Sequence, residues 1–149
     1  MARIIIELPE QFQFSTTLTV YQSHINHAGH VDNALLLTLV SEARARFFKS
    51  LDVPEVDRNG LGIVVADTAI QYLSEAFHGE ELTIEVAADD FNKYGCDLVY
   101  RIRDAASGRD VARAKNGIVF FDYSARRIHA VPEVFRERAG GAEAERSAA

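Results

Sequence analysis

The stretch DNALLLTLVSEARARFFKSLDV, residues 32–53, decides the fold of this chain. Asp32 and Asn33 offer side-chain oxygens to the free N–H groups at a helix start, and Pro54 follows the helix end. Between Leu35 and Leu51 the sequence contains neither Gly nor Pro. The pattern predicts one long α-helix.

The predicted helix carries too much apolar surface for a helix that lies on the outside of a protein. At about 100° per residue, its large apolar side chains cover an arc of roughly 220°. These side chains are Leu35, Leu36, Leu37, Leu39, Val40, Phe47, Phe48 and Leu51, and the remaining face carries Thr38, Ser41, Glu42, Ala45 and Lys49. Because most of the remaining regular structure is predicted as strand, we expect a curved sheet around the helix.

Five segments are predicted as strands from their apolar alternation and β-branched content: Thr16 to His24, Leu61 to Phe77, Leu82 to Ala88, Leu98 to Arg103 and Val111 to Tyr123. The second is too apolar for a one-sided surface strand, so we expect it to be central or pressed against a partner. Short turns separate the last four, which predicts that they are antiparallel neighbours. Gly117, inside the fifth, predicts a bulge or a close backbone approach.

Length and composition predict one compact domain over residues 1–139. The chain has 149 residues, of which 48% are apolar and 26% charged. A short helix is predicted from Pro132 to Arg138, and the sequence GGAEAERSAA at residues 140–149 predicts a disordered tail. We see no internal repeat.

Charge and cysteine content exclude several classes of function. A net charge of −6 and a pI near 5.3 argue against a nucleic-acid-binding surface. No apolar run is long enough for a signal peptide or a membrane span, so we expect a cytoplasmic protein without a membrane partner. Cys96 is the only cysteine, which excludes an internal disulfide and a cysteine-based metal cluster.

The loop before the helix, HINHAGHVDN at residues 24–33, and the SEARARFF segment within the helix resemble motifs of a known family. They are similar to the D-x-D-x-x-G-H-V-N-N loop and the E-A-R helix of hotdog-fold thioesterases, closest to the 4-hydroxybenzoyl-CoA and acyl-CoA thioesterase branch. The similarity extends from about Thr16 to about Phe135. It includes YLSEAFHGEELTIEV, which is similar to the family's Y-x-x-P-x-x-x-G-D-x-L strand pair.

The resemblance implies an α+β hotdog fold, in which a five-stranded antiparallel sheet wraps around one long central helix. It also implies an enzyme that hydrolyses an acyl-CoA thioester to a carboxylic acid and free coenzyme A. The implied assembly is a homodimer or a dimer of dimers, with the acyl group bound between subunits. No cofactor is expected.

A thioester hydrolase needs donors for the oxyanion of the tetrahedral intermediate and a group that activates water. Gly29 permits a close backbone approach, and the N–H groups of residues 30–33 lie at the positive end of the helix dipole. We therefore expect the loop to bind the thioester. Its predicted substrate-binding residues are His27, Gly29, Val31, Asp32 and Asn33, with Lys93 and Tyr94 predicted to bind the coenzyme A part.

Asn26 occupies the position at which many relatives carry a catalytic Asp. An amide is not a base at neutral pH, but it can hold water or polarise a carbonyl. Related hotdog thioesterases combine a loop Asn with an acidic helix residue, and here the matching acid is Glu42. The competing interpretation is that Glu42 forms an ion pair with Arg46 at i+4. His30 fits the G-H-V pattern, where it shapes the loop or carries a proton.

The expected distance between these groups requires two subunits. Glu42 is nine residues beyond Asn33, which corresponds to about 13 Å along a helix axis. A two-fold axis would let each subunit supply the loop for its partner's helix. Two rival functions remain open, namely a non-catalytic acyl-group binding protein, favoured by Asn26, and a metal-dependent hydrolase built on His24, His27 and His30.

Overall fold

The structure is a computed structural model that describes residues 3–148, with side chains described for residues 3–140. Within these residues there are six strands, namely β1 (Phe14–Thr19), β2 (Leu61–Tyr72), β3 (Glu81–Asp89), β4 (Gly95–Asp104), β5 (Asp110–Asp122) and β6 (Arg127–Ile128). The helices are α1 (Leu36–Ser50) and α2 (Glu133–Ala148). A 3-10 turn, Gln22–His24, leads into the loop before α1.

The strands form one antiparallel sheet in the order β1-β3-β4-β5-β2, and the short strand β6 pairs with β5. Its inner face packs on α1, as the hotdog arrangement requires, so the predicted fold class is confirmed. β1 ends at Thr19, earlier than predicted. The N–H of Tyr21 donates to Nδ1 of His24 at 2.9 Å, and this bond closes the 3-10 turn in place of a strand.

The second strand differs from its prediction. β2 lies at the edge of the sheet beside β5, so the expectation of a central strand is wrong. It does not pair with β3 either, because residues 73–80 cross the end of the sheet instead of forming a tight turn. The N–H groups of Leu73 and Ser74 both donate to the carbonyl of Val111 on the way. Val64 and Val65 remain 37% and 38% exposed on β2, which is consistent with the alternative of a partner.

α1 presents the expected faces. Leu36, Leu39, Val40, Phe47 and Phe48 are buried, whereas Thr38, Ser41, Glu42 and Lys49 are exposed. The carboxylate of Asp32 accepts the N–H groups of Ala34 and Leu35 at 3.0 and 3.3 Å, so it caps the turn that precedes the regular helix. Asn33 does not act as the cap with its side chain. Burial of this apolar face supplies most of the helix stability.

α2 closes the open end of the core and begins where the sequence predicts a helix, immediately after Pro132. The ring of Phe135 is fully buried and lies 5.2 Å from the ring of Phe48 and 5.1 Å from that of Phe120. A disordered tail was predicted for residues 140–149. The side chains of residues 141–149 lie outside the described residues, so this stays a prediction. Neither described helix has the length and apolarity needed to cross a membrane.

Gly117 marks an irregularity in the sheet, as predicted. The pairing of β2 with β5 shifts register between Val65 and Asp67, and the N–H of Gly117 donates to Oδ1 of Asp67 at 3.0 Å. A Cβ at position 117 would lie 2.4 Å from that oxygen. The glycine therefore leaves room for the Asp67 carboxylate against the backbone of β5.

Candidate active site

The loop between the 3-10 turn and α1 is held by its own hydrogen bonds. Oδ1 of Asn26 accepts the N–H of Ala28 at 2.9 Å, and the carbonyl of Asn26 accepts the N–H of Gly29 at 3.0 Å. The N–H of Asn26 in turn donates to the carbonyl of His30. Gly29 has φ +86°, a value that favours glycine. These bonds fix the amide of Asn26 and leave its NH2 group without a partner among the described residues.

Two of the four N–H groups expected to face a substrate are already occupied. The N–H of Val31 donates to the carbonyl of Ala76 at 2.8 Å, and that of Asp32 donates to the carbonyl of His24 at 2.9 Å. In the described part of the chain the N–H groups of His30 and Asn33 make no hydrogen bond. The groups left as candidate donors to a ligand are therefore these two backbone N–H groups and the Asn26 amide.

A cavity of about 480 Å³ opens beside this loop, and we call it the loop cavity. Its wall is formed by the loop, by the start of α1 and by the segment that follows β2. The lining residues are Asn26, His30, Val31, Asp32, Asn33, Leu36, Tyr72, Leu73, Ser74, Glu75, Ala76 and Val111. Five of the predicted site residues, namely Asn26, His30, Val31, Asp32 and Asn33, are thus brought together.

The segment from Tyr72 to Ala76 supplies the part of the wall that sequence reasoning missed. The hydroxyl of Tyr72 donates to the carbonyl of Asn33 at 2.7 Å and so ties the end of β2 to the start of the helix. Burial, and then the negative charge of Asp32, raise the pKa of this hydroxyl above its usual value. Tyr72 opens the YLSEAFHGEELTIEV motif, and Glu75 stands where that motif has Pro. This replacement of Pro by Glu was the sequence signal that could have pointed to this part of the wall.

Other predicted binding residues lie outside the loop cavity. His27 and Gly29 are exposed at the tip of the loop and do not line it. Lys93 and Tyr94 lie in the turn between β3 and β4, where the ammonium of Lys93 is 5.3 Å from the ring of Tyr94. Gly95, next to this turn, pairs with Val119 of β5. Val119 is eight residues along β5 from Val111 of the cavity wall, so the turn and the loop cavity are about 26 Å apart. One subunit does not bring Lys93 to its own loop cavity.

Glu42 lines a separate cavity of about 370 Å³ between α1 and β1, which we call the helix cavity. Its Oε1 accepts the Nε–H of Arg46 at 3.1 Å, so the expected ion pair is present. Arg46 also donates to Oγ1 of Thr16 and to the carbonyl of Thr17. Six residues separate Glu42 from Leu36 of the loop cavity, which places it about 9 Å along and about 240° around the helix. Asn26 and Glu42 of one chain therefore do not face each other.

The three histidines of the H-x-x-H-x-x-H pattern do not converge. Nδ1 of His24 accepts the N–H of Tyr21, Nδ1–H of His30 donates to the carbonyl of Val31 at 3.1 Å, and His27 is exposed. In residues 3–148, no cluster of three or more His, Cys, Asp or Glu side chains has the arrangement of a metal site. The expectation of a protein without a cofactor, which includes a metal ion, stays a prediction.

Comparison with known proteins places the chain among thioesterase-like proteins. The model of the thioesterase-like superfamily matches residues 20–139. No match was found among the curated proteins.

Solved structures show the same fold. A 1,4-dihydroxy-2-naphthoyl-CoA thioesterase from Synechocystis is 18% identical with a TM-score of 0.79, over 86% of this chain and 96% of that one. A probable thioesterase from Escherichia coli is 24% identical with a TM-score of 0.70, over 87% and 96%. A Staphylococcus aureus protein in complex with CoA is 20% identical with a TM-score of 0.80, over 93% and 88%. At these identities the similarity shows the fold.

Proposed function

Since the chain belongs to the thioesterase-like superfamily and is a thioester hydrolase of the hotdog fold, we propose that it hydrolyses acyl-CoA thioesters in the loop cavity. The observation that carries this proposal is the pair of backbone N–H groups, of His30 and Asn33, that make no hydrogen bond beside a cavity of about 480 Å³. The crystallised complex of a similar fold with CoA supports coenzyme A as the carrier.

The loop is suited to stabilising charge on the thioester oxygen. As a nucleophile attacks, the carbonyl oxygen becomes an oxyanion, which the N–H of His30 and the NH2 group of Asn26 can bind. Donors fixed before the reaction need no reorganisation when that charge develops. The apolar lining residues Leu36, Leu73 and Val111 then provide room for the acyl group.

A second subunit completes this site in our proposal. β2 is an edge strand with unpaired backbone groups and exposed Val64 and Val65, and its last residue, Tyr72, lines the loop cavity. A two-fold axis beside β2 would join two sheets edge to edge and cover the mouth of each cavity. Lys93 of a partner subunit is then available for the coenzyme A phosphates, although one chain holds it about 26 Å away.

The function is tested by incubating the purified protein with a panel of acyl-CoA esters and measuring free thiol. We expect release of coenzyme A with at least one acyl class, in a protein that light scattering shows to be a dimer or tetramer at micromolar concentration. An active monomer would refute the two-subunit site. Binding of acyl-CoA without thiol release would favour the alternative of an acyl-binding protein, for which Asn26 in place of the family's Asp is the specific observation.

A further inference from the structure

The loop cavity contains two carboxylates, and only one of them is committed to the fold. Oδ2 of Asp32 accepts the N–H groups of Ala34 and Leu35, so this side chain holds the turn that precedes α1. The carboxylate of Glu75 accepts no hydrogen bond and forms no ion pair in the described part of the chain. Two N–H groups hold the Asp32 carboxylate at the helix start, whereas the Glu75 carboxylate is exposed and can turn toward a water molecule, so Glu75 is the candidate base of this cavity.

The backbone around Glu75 is held in place from both sides. The guanidinium of Arg109 donates to the carbonyl of Glu75 at 3.0 Å and also binds the carboxylate of Glu80 at 3.2 Å. One residue later, the carbonyl of Ala76 accepts the N–H of Val31 at 2.8 Å. That hydrogen bond joins the segment around Glu75 to Val31. Val31 directly follows His30, and the N–H of His30 is the proposed oxyanion donor. The backbone of Glu75 and the proposed donor thus belong to one wall of the cavity.

We propose that Glu75 is the general base of this enzyme and that it acts in the loop cavity of its own chain. This inference rests on the proposed thioesterase function. It assigns to Glu75 the role that the family resemblance gives to Asp at position 26 or to a helix acid such as Glu42. The amide of Asn26 then orients the thioester, which is a task for which no negative charge is needed.

In the proposed reaction Glu75 takes a proton from a water molecule, and the oxygen of that water bonds to the thioester carbonyl carbon. The carbonyl π electrons move to oxygen, where the N–H of His30 and the amide of Asn26 stabilise the negative charge. When the oxyanion reforms the carbonyl, the C–S bond breaks and the electron pair leaves with sulfur. The Glu75 carboxyl returns its proton to the thiolate. The products are the carboxylic acid and coenzyme A, and Glu75 is regenerated.

The test compares Glu75→Gln with Glu81→Gln in the thiol-release assay. Glu81 is an exposed glutamate near the start of β3 that lines none of the described cavities. We expect kcat to fall by ~10²-fold or more in Glu75→Gln with a much smaller change in KM, and Glu81→Gln to match the wild type. Circular dichroism and thermal unfolding establish that the variants fold.

A second variant gives a readout that a structural role would not change. Glu75→Ala removes the carboxylate and leaves space, so added formate should restore part of the lost turnover in a concentration-dependent manner. The same salt should leave Asn26→Ala unaffected. Mixing Asn26→Ala with Glu75→Gln under conditions of subunit exchange should give no gain in activity, because both residues serve the same chain's site. Rescue in that mixture would overturn the assignment to one chain.

The outcomes separate this inference from the proposed function. A wild type that releases thiol while Glu75→Gln and Glu75→Ala keep full turnover would overturn the role of Glu75 and leave the thioesterase standing. Loss of activity that formate does not restore, together with a lowered unfolding temperature, would also overturn it. A wild type that releases no thiol from any acyl-CoA would overturn both, since no reaction would remain for the base to serve.

Discussion

The loop cavity and the helix cavity lie at two places on α1 and have similar volumes, about 480 and 370 Å³. Both contain charged and polar groups, but the two cavities differ in whether those groups are hydrogen-bonded within the protein. In the helix cavity Glu42 is paired with Arg46, and Arg46 makes two further bonds to β1. In the loop cavity the N–H of His30, the NH2 group of Asn26 and the carboxylate of Glu75 make no bond within the described chain.

This difference shows which polar groups are available for chemistry. A donor or acceptor that is already paired within the protein must lose that hydrogen bond before it binds a substrate, whereas a group without a protein partner needs only to exchange water for the substrate. By this criterion we propose the loop cavity as the catalytic region, and we expect the helix cavity to serve the stability of the fold. The following experiments test that contrast.

The largest effect outside Glu75 is expected for Asn26→Ala. Loss of the amide removes one donor to the oxyanion, so kcat should fall by ~10²-fold with little change in KM. Steady-state kinetics on the best acyl-CoA ester provide the measurement. Asn26→Asp is the matched control, because the Asp can still accept the N–H of Ala28. A wild type that is inactive and gains thioesterase activity on this change would identify a binding protein instead of an enzyme.

An intermediate effect is expected for Tyr72→Phe at the wall of the loop cavity. The change removes a hydrogen bond of 2.7 Å to the carbonyl of Asn33 and should lower the free energy of unfolding by about 1 kcal/mol. Because the loop position would relax, we expect turnover to fall by less than about tenfold. Urea unfolding and kinetics measure both effects. Tyr21→Phe is a suitable control, since Tyr21 is 62% exposed and lies outside this cavity. Equal effects of both changes would contradict a role for Tyr72 at the cavity wall.

The smallest effect is expected for Glu42→Gln in the helix cavity. Its ion pair with Arg46 joins two exposed side chains, which limits the loss of stability to about 0.5 kcal/mol, and turnover should match the wild type. A loss of ~10²-fold in kcat would instead support Glu42 as the base acting across the dimer. Mixing Glu42→Gln with Asn26→Ala would then rescue part of the activity, since some mixed dimers keep one intact site. Such rescue would contradict the proposal that only the loop cavity takes part in catalysis.

Local sequence signals determined α1 and most of the strands. The apolar arc of α1 could be calculated from residues 35–51 alone because side-chain positions on a helix follow directly from the rise and rotation per residue. The capping role of Asp32 and the irregularity at Gly117 depended on neighbouring residues and were predicted correctly. The loop HINHAGHVDN carried enough of a motif to locate half of the candidate site.

The other half of the site depends on contacts between segments that are distant in sequence. Whether Leu61–Tyr72 lies at the centre or the edge of the sheet cannot be derived from its composition, since apolar residues fit a central strand and a dimer edge equally well. Only the crossing of residues 73–80 over the sheet end places β2 beside β5.

The sequence by itself determined a helix inside an antiparallel sheet and a loop motif at the helix start, for which anion stabilisation stays a prediction. It identified Asn26, and the Glu at the motif's Pro position was a signal at Glu75, but the sequence did not place these two residues, 49 positions apart, in one cavity. That proximity comes from the hydrogen bond between Val31 and Ala76, and such a bond depends on how the whole chain packs. The tertiary structure therefore decided which carboxylate lies beside the loop. The partners of Asp32 and Glu42 are close in sequence and could be predicted, whereas the approach of Glu75 to Asn26 requires the packed chain.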